Sequence, residues 1–225
     1  MQPTPHLLVA AAGSGTRAGG HLPKQFIGLL GKPLLVHTLQ KFFSWNPGME
    51  TVVVLPADFT GHFETLRRLY FSSQQIRVLA GGNTRQDSVR IGLDSFTGHG
   101  LVAVHDAARP FVSTTLIDRC FKEAAQYGNC VPGIIPKDAV RRFTEPGNSA
   151  IPREQIRLMQ TPQVFELAQL RKAFMLAGQT SYPDEASLLE AAGIPIHITA
   201  GEEDNFKITT PLDLRLAEFL LQQDS

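Results

Sequence analysis

Short, wholly apolar runs alternate along this chain with segments of helical spacing, and that alternation predicts an architecture. Leu7-Leu8-Val9-Ala10-Ala11-Ala12 is apolar at every position, as a strand reads when both faces of its sheet are covered. Runs of the same kind at Thr51 to Leu55, Ile76 to Leu79, Leu101 to Val104, Val131 to Ile135 and Pro195 to Thr199 predict further central strands. Helical spacing falls between them, over Pro33 to Phe43, Arg85 to Leu93, Thr114 to Tyr127, Phe165 to Leu176, Asp184 to Ala192 and Pro211 to Leu221. Pro33 and Pro211 read as first-turn prolines, and Ser113 or Thr114 as a cap. Strands alternating with helices predict an α/β fold with a mostly parallel central sheet and helices on both faces. Ligands then belong outside the carboxyl ends of the strands.

One stretch breaks the rhythm. Asp138 to Phe143 and Ser149 to Arg153 are short extended candidates on either side of the turn-rich Glu145-Pro146-Gly147-Asn148, which is a hairpin signal. The expectation is a single domain over 1–225 with a β-hairpin inserted at about 137–155, either a decorated edge or an arm that reaches a partner subunit.

Composition narrows the ligand. Hydrophobic residues make up 43% of the 225 and charged residues 19%, enough apolar material for a continuous core. Lysine plus arginine balances aspartate plus glutamate at 21 each, so no global field draws nucleic acid or an anionic membrane, and any phosphate must be held by local groups. Cys120 and Cys130 supply neither a metal-ligand cluster nor a disulfide framework, and are expected as buried thiols. The first residues lack a basic segment, and the run Leu7 to Ala12 is too short for a signal peptide or a membrane span, so a cytoplasmic location is expected.

Four segments carry chemistry. Ala11-Ala12-Gly13-Ser14-Gly15-Thr16-Arg17, followed by Pro23-Lys24-Gln25, places glycines at a strand end, where backbone N–H groups can turn onto a phosphate and two cations can neutralise it. A dinucleotide-binding fingerprint competes, because Gly13-x-Gly15-x-x-Ala18 fits the glycine pattern. Against it, Gly19, Gly20 and Pro23 prolong the loop, and no acidic residue follows at the expected distance of about 20 positions. Gly81-Gly82-Asn83-Thr84-Arg85-Gln86-Asp87-Ser88 is either a plain strand-to-helix turn capped by Asn83 or Thr84, or a loop whose Gly82 backbone and Ser88 hydroxyl read a pyrimidine edge. His105-Asp106-Ala107-Ala108-Arg109-Pro110 puts a carboxylate at a strand's carboxyl end, suited to Mg²⁺ or sugar hydroxyls, or to an Asp–Arg pair that fixes the loop; His105 reads as structural. Finally, Lys207 lies in the apolar, strand-like Asp204-Asn205-Phe206-Lys207-Ile208-Thr209, where a phosphate ligand would explain a lysine. Arg153 and Thr161 are further candidates.

Taken in order, Ala-Ala-Gly-Ser-Gly-Thr-Arg, Pro-Lys-Gln, Gly-Gly-x-x-Arg-x-x-Ser, His-Asp-Ala-Ala-Arg-Pro-Phe, Gln-Thr-Pro-Gln and Asp-Asn-Phe-Lys-Ile-Thr closely resemble the 2-C-methyl-D-erythritol 4-phosphate cytidylyltransferase family from Leu7 to about Leu220. The resemblance implies a Rossmann-like nucleotidyltransferase fold, a homodimer joined through a protruding arm, and Mg²⁺-dependent attack by the substrate phosphate on the α-phosphorus of CTP. It implies that Arg17 and Lys24 stabilise charge at the α-phosphate, and that Arg153, reaching across the dimer, and Lys207 position the incoming phosphate. Ala11, Ala12, Gly13, Gly15, Gly82, Arg85 and Ser88 would surround CTP. Asp106, Arg109 and Thr161 would lie near the sugar alcohol, with Asp106 the candidate metal ligand.

Two positions depart from the family pattern: Ala139 and Pro183 stand where a threonine is usual, and both lost hydroxyls bear on acceptor choice. A ribitol 5-phosphate cytidylyltransferase shares several of these motifs but tends to read His-Asp-Ser-Val-Arg-Pro, so Ala107-Ala108 favours the methylerythritol acceptor. A non-catalytic nucleotide-binding module is the rival from another class, and the presence of both Arg17 and Lys24 argues against it.

Overall fold

The computed structural model describes residues 4–13, 22–178 and 180–223. In chain order the elements are β1 (Pro5–Ala10), the small hairpin β2 (Gly28–Leu29) and β3 (Lys32–Pro33), α1 (Leu34–Trp45), β4 (Glu50–Leu55), α2 (Thr60–Tyr70), β5 (Ile76–Ala80), α3 (Arg85–Ser95), β6 (Leu101–Asp106), α4 (Thr114–Tyr127) and β7 (Asn129–Ile134). There follow β8 (Val140–Phe143), β9 (Asn148–Ile151), β10 (Leu158–Met159), β11 (Gln163–Glu166), α5 (Leu167–Ala177), α6 (Glu185–Ala191), β12 (Ile198–Ala200) and α7 (Pro211–Gln223).

The main sheet runs β10-β7-β11-β6-β1-β4-β5, with β12 added on β7. β6, β1, β4 and β5 are mutually parallel, whereas β11 lies antiparallel between β6 and β7. The all-apolar strands have the predicted cause. In β1, Leu7 and Val9 pack into a core with α1, α2 and α4, while Leu8 packs on the other face against Val89 and Leu93 of α3 and Phe174 of α5. Helix α3 approaches closely because of Gly92, where an added Cβ would lie 2.5 Å from Leu8 Cδ1. Helix α4 starts with Ser113 Oγ accepting from the Leu116 N–H and ends on Gly128 at φ 86°, a conformation glycine adopts without steric cost.

Several sequence expectations need correction. Phe165 opens no helix: it belongs to β11, fully buried in the slot between β6 and β7, and α5 begins at Leu167. The run Pro195 to Thr199 is no central strand but the three-residue β12, paired to β7 alone. Pro33 precedes α1 instead of sitting in its first turn. The segment around Lys207 is irregular backbone, not a strand, anchored by the Ile208 N–H donating to the Ala108 carbonyl at 2.9 Å. Helix α2 had no sequence expectation, and only Phe63 and Leu66 of its residues are buried. The expected hairpin is present as β8 and β9, a separate two-stranded sheet whose residues are mostly exposed, Phe143 at 83%.

Candidate functional site

A cavity of about 500 Å³ opens at the carboxyl ends of β1 and β6. The chain leaves β1 for β4 on one side and leaves β6 for β7 on the other, so the crevice lies at the switch point where open α/β sheets bind ligands. Ala10, Ala11, Ala12 and Gly13 line it from the end of β1 and the loop after it, Asp106, Ala107 and Ala108 from the end of β6 and its loop, and Gly82, Asn83, Thr84, Arg85 and Ser88 from the loop into α3 and its first turn. Lys24, Gln25 and Lys207 complete the lining.

Local hydrogen bonds explain why these loops hold their shape. Buried Gln25 donates through Nε2 to the carbonyls of Ala11, at 2.5 Å, and Gly13, at 3.3 Å, which pins the exit of β1. Thr84 caps α3 with a reciprocal box: its Oγ1 accepts from the Asp87 N–H, and the Asp87 carboxylate accepts from the Thr84 N–H. Ser88 Oγ donates to the Thr84 carbonyl at 2.9 Å and accepts from the Gly82 N–H at 3.2 Å, so its one hydrogen is spent inside the loop. At Gly82 a Cβ would stand 2.5 Å from that of Asp87, which leaves no room for a side chain.

Asp106 is the charge centre of the cavity and, among the described residues, its only acidic lining side chain. Its Oδ2 lies 2.8 Å from Lys207 Nζ and 3.7 Å from Arg109 Nε, and its Oδ1 lies 3.6 Å from Arg85 Nε. Burial penalises the charged carboxylate, but Lys207, then Arg85 and Arg109, outweigh that and hold it ionised well below the usual carboxylate range. Arg85 in turn grips Glu185 at the start of α6 with two bonds, at 2.7 and 2.9 Å. Burial works against the Arg85 charge, and Glu185 more than compensates, raising its pKa. Arg109 is not in the lining; it donates to the Asn205 carbonyl at 2.8 Å and ties the Lys207 segment to the end of β6.

Thr161 also sits behind the wall. The Asp106 N–H donates to Thr161 Oγ1 at 3.1 Å; His105 Nε2 faces the Arg109 carbonyl at 3.1 Å and so carries the proton of the neutral ring, which leaves Nδ1 to accept from the Thr161 hydroxyl at 3.0 Å. That chain fixes a neutral imidazole, and burial pushes the His105 pKa down to about 4. The His105 ring packs edge-on against Phe42 as a structural residue, in keeping with the sequence reading.

Lys24 and Lys207 come from opposite ends of the sequence and meet here: Lys24 Nζ donates at 3.2 Å to the carbonyl of Ile208, the residue after Lys207. Of the other candidates, Ala11, Ala12, Gly13, Gly82, Arg85, Ser88 and Asp106 line the same cavity. Gly15 and Arg17 lie outside the described residues. Arg153 lies elsewhere, exposed beside the hairpin, donating to the Lys137 carbonyl at 3.0 Å and facing Glu154. The sequence pattern assigns no role to Gln25, although it stands in the Pro-Lys-Gln motif, or to Glu185, which follows the departing Pro183 by two positions.

Asp106 fits a protein-held Mg²⁺ poorly. Three cations already surround its carboxylate, and among the described residues no second carboxylate lines the cavity.

Comparison with known proteins places this geometry. The family model for IspD, 2-C-methyl-D-erythritol 4-phosphate cytidylyltransferase, matches residues 6–223. Curated proteins of that name are similar to the chain: one from Phocaeicola vulgatus is 38% identical over 216 residues, covering 96% of this chain and 99% of its own. One from Porphyromonas gingivalis is 40% identical over 223 residues, covering 98% and 99%. Among solved structures, the 2-C-methyl-D-erythritol 4-phosphate cytidylyltransferase of Thermus thermophilus superposes with a TM-score of 0.80 at 35% identity, covering 99% of this chain and 100% of that one. The 4-diphosphocytidyl-2C-methyl-D-erythritol synthase of Anaerococcus prevotii gives 0.86 at 26% identity, covering 98% and 96%.

Proposed function

The chain belongs to the 2-C-methyl-D-erythritol 4-phosphate cytidylyltransferase family, and we propose that its cavity transfers the CMP moiety of CTP to 2-C-methyl-D-erythritol 4-phosphate, a step of non-mevalonate isoprenoid precursor synthesis. The products are 4-diphosphocytidyl-2-C-methyl-D-erythritol and pyrophosphate. The observation that carries this reading is the meeting of Lys24 and Lys207 beside glycine-bearing strand ends at the β1/β6 crevice.

The chemistry asks for alignment and charge stabilisation. An acceptor phosphate oxygen, already anionic near neutral pH, attacks the α-phosphorus; a bond forms there and the bond to the leaving pyrophosphate breaks. No general base is needed, which agrees with a neutral, fully hydrogen-bonded His105. Lys24, with Arg17, meets the charge that develops at the α-phosphate. Lys207, steadied by Asp106, receives the acceptor phosphate. Backbone of Ala11 to Gly13 and of Gly82 surrounds the nucleotide. Arg85 shapes that wall through Glu185, and Ser88 shapes it through its loop bonds. Arg109 and Thr161 act one layer back, by placing Asp106 and the Lys207 segment. A divalent cation such as Mg²⁺ would ride on the triphosphate oxygens, since Asp106 is committed to cations.

The chain forms one catalytic domain that works as a homodimer through the hairpin arm. Support comes from the isolated two-stranded sheet β8–β9 and its 83% exposed Phe143, because a lone hairpin is marginal in water without something to pack on. In that dimer Arg153 would approach the partner's acceptor site. Use of CTP supports a cytoplasmic enzyme, and no helix among the described residues is long and apolar enough to cross a membrane. Nucleic acid is not a partner on this reading, in line with the balanced charge.

The test measures pyrophosphate release with CTP, Mg²⁺ and either 2-C-methyl-D-erythritol 4-phosphate or ribitol 5-phosphate. Faster turnover of the first is expected. Faster turnover of ribitol 5-phosphate would replace the acceptor, and tight CTP binding with no release from either would leave a binding module.

A further inference from the structure

The two cysteines read in the sequence as offering no metal cluster, yet the fold adds partners to one of them. Glu123 near the end of α4, Cys130 near the start of β7 and His197 just before β12 bring their ligand atoms within 4.8 Å of one another. The trio lies by the amino ends of β7 and β12, which run parallel, whereas the nucleotide cavity opens at carboxyl ends. We propose that Glu123 Oε2, Cys130 Sγ and His197 Nε2 form a second site, a binding site for a zinc-like divalent transition-metal ion with water in the fourth position.

The distances suit such an ion. Glu123 Oε2 is 2.8 Å from His197 Nε2 and 3.7 Å from Cys130 Sγ. A tetrahedral ion with bonds of ~2.0–2.3 Å sets its ligands about 3.3–3.6 Å apart, so small side-chain shifts suffice. Thiolate, imidazole and carboxylate together are the donor set of zinc and its close relatives, not of Mg²⁺ or Ca²⁺.

The surroundings fix each ligand's aim. Thr199 Oγ1 donates to Glu123 Oε1 at 3.1 Å, which leaves Oε2 for the other two groups, as outer partners of metal ligands commonly do. The His197 N–H donates to Asn129 Oδ1 at 2.9 Å, the Val131 N–H donates to the His197 carbonyl at 2.9 Å, and the His197 ring stacks on Tyr127 with centroids 4.0 Å apart. Cys130 is fully buried, while Glu123 and His197 keep 27% and 31% of their side chains exposed, so an ion enters from solvent past those two. Without a metal the Cys130 thiol donates to Glu123 Oε2 at 3.7 Å and so carries its proton. Binding then exchanges that proton for the metal: Cys–SH plus M²⁺ gives Cys–S–M⁺ and one H⁺ released to solvent. No electron moves.

The experiment titrates the metal-free, nucleotide-free full chain with Co²⁺. The expected result is one equivalent bound, a near-ultraviolet thiolate-to-cobalt charge-transfer band, visible bands of four-coordinate intensity, and displacement by Zn²⁺. Cys130→Ser should abolish the charge-transfer band. The half-exposed replacement His197→Gln, which avoids a buried change, should weaken binding by about 10-fold or more, while Cys120→Ser keeps the band. Zn²⁺ should raise Tm in the wild type and not in Cys130→Ser or His197→Gln. Absence of the band from the wild type, its persistence in Cys130→Ser, or its loss only in Cys120→Ser would each overturn the assignment.

Discussion

Glu185 never touches the cavity, yet the geometry makes Arg85 depend on it. The guanidinium spans both Glu185 oxygens at 2.7 and 2.9 Å, and Glu185 is 2% exposed. Changing Glu185→Gln leaves the shape and one acceptor but removes the charge and the second acceptor. Breaking a buried ion pair costs about 3–5 kcal/mol when the remaining charge is stranded. Here Arg85 keeps 35% of its side chain in solvent and has Asp106 at 3.6 Å, so water and Asp106 absorb part of that cost. We expect a loss of about 2 kcal/mol, a Tm lower by about 4–8 °C for a chain of this size. Arg85 should turn toward Asp106 and disturb the nucleotide wall it shapes, raising KM for CTP several-fold. Calorimetric melts at one pH and initial rates over a CTP series read both effects. A variant that melts within about 1 °C of the wild type with an unchanged KM would refute the reasoning.

Other perturbations separate the remaining contributions. His105 should make the protein acid-sensitive: its folded pKa is about 4, so between the unfolded value of ~6.5 and that point the unfolded chain binds the extra proton. Stability therefore drops as pH falls across that window, by about 3 kcal/mol from this group, and denaturant unfolding should show His105→Gln lacking that component; equal pH slopes would count against it. Removing the α3 cap with Thr84→Ala should cost about 1 kcal/mol and lower Tm by about 2–4 °C, and an unchanged melt would show that the box is dispensable.

The sheet was legible because its central strands are buried on both faces, which leaves an all-apolar run, and α4 because its cap and apolar spacing agree. β11 was hidden: four residues, Gln163-Val164-Phe165-Glu166, run directly into α5, and Phe165 also fits that helix's spacing. Helix α2 was missed because two buried residues make too thin a stripe to register as a period. In the site, glycine loops and a lysine in apolar company could be singled out one by one. Their assembly could not, since Lys24 reaches a carbonyl 184 positions away and Arg85 takes a partner 100 positions away. The metal trio shares that cause, with His197 lying 74 positions from Glu123.

In the proposed function Lys24 and Lys207 act together on one reacting phosphate centre. The most direct check is the rate of pyrophosphate release from CTP and 2-C-methyl-D-erythritol 4-phosphate in the wild type, Lys24→Ala and Lys207→Ala, with circular dichroism confirming the folds. Each substitution removes a preorganised cation and should slow turnover by about 10²–10³-fold, equivalent to ~3–4 kcal/mol of transition-state stabilisation. Rates for both variants within about threefold of the wild type would contradict it.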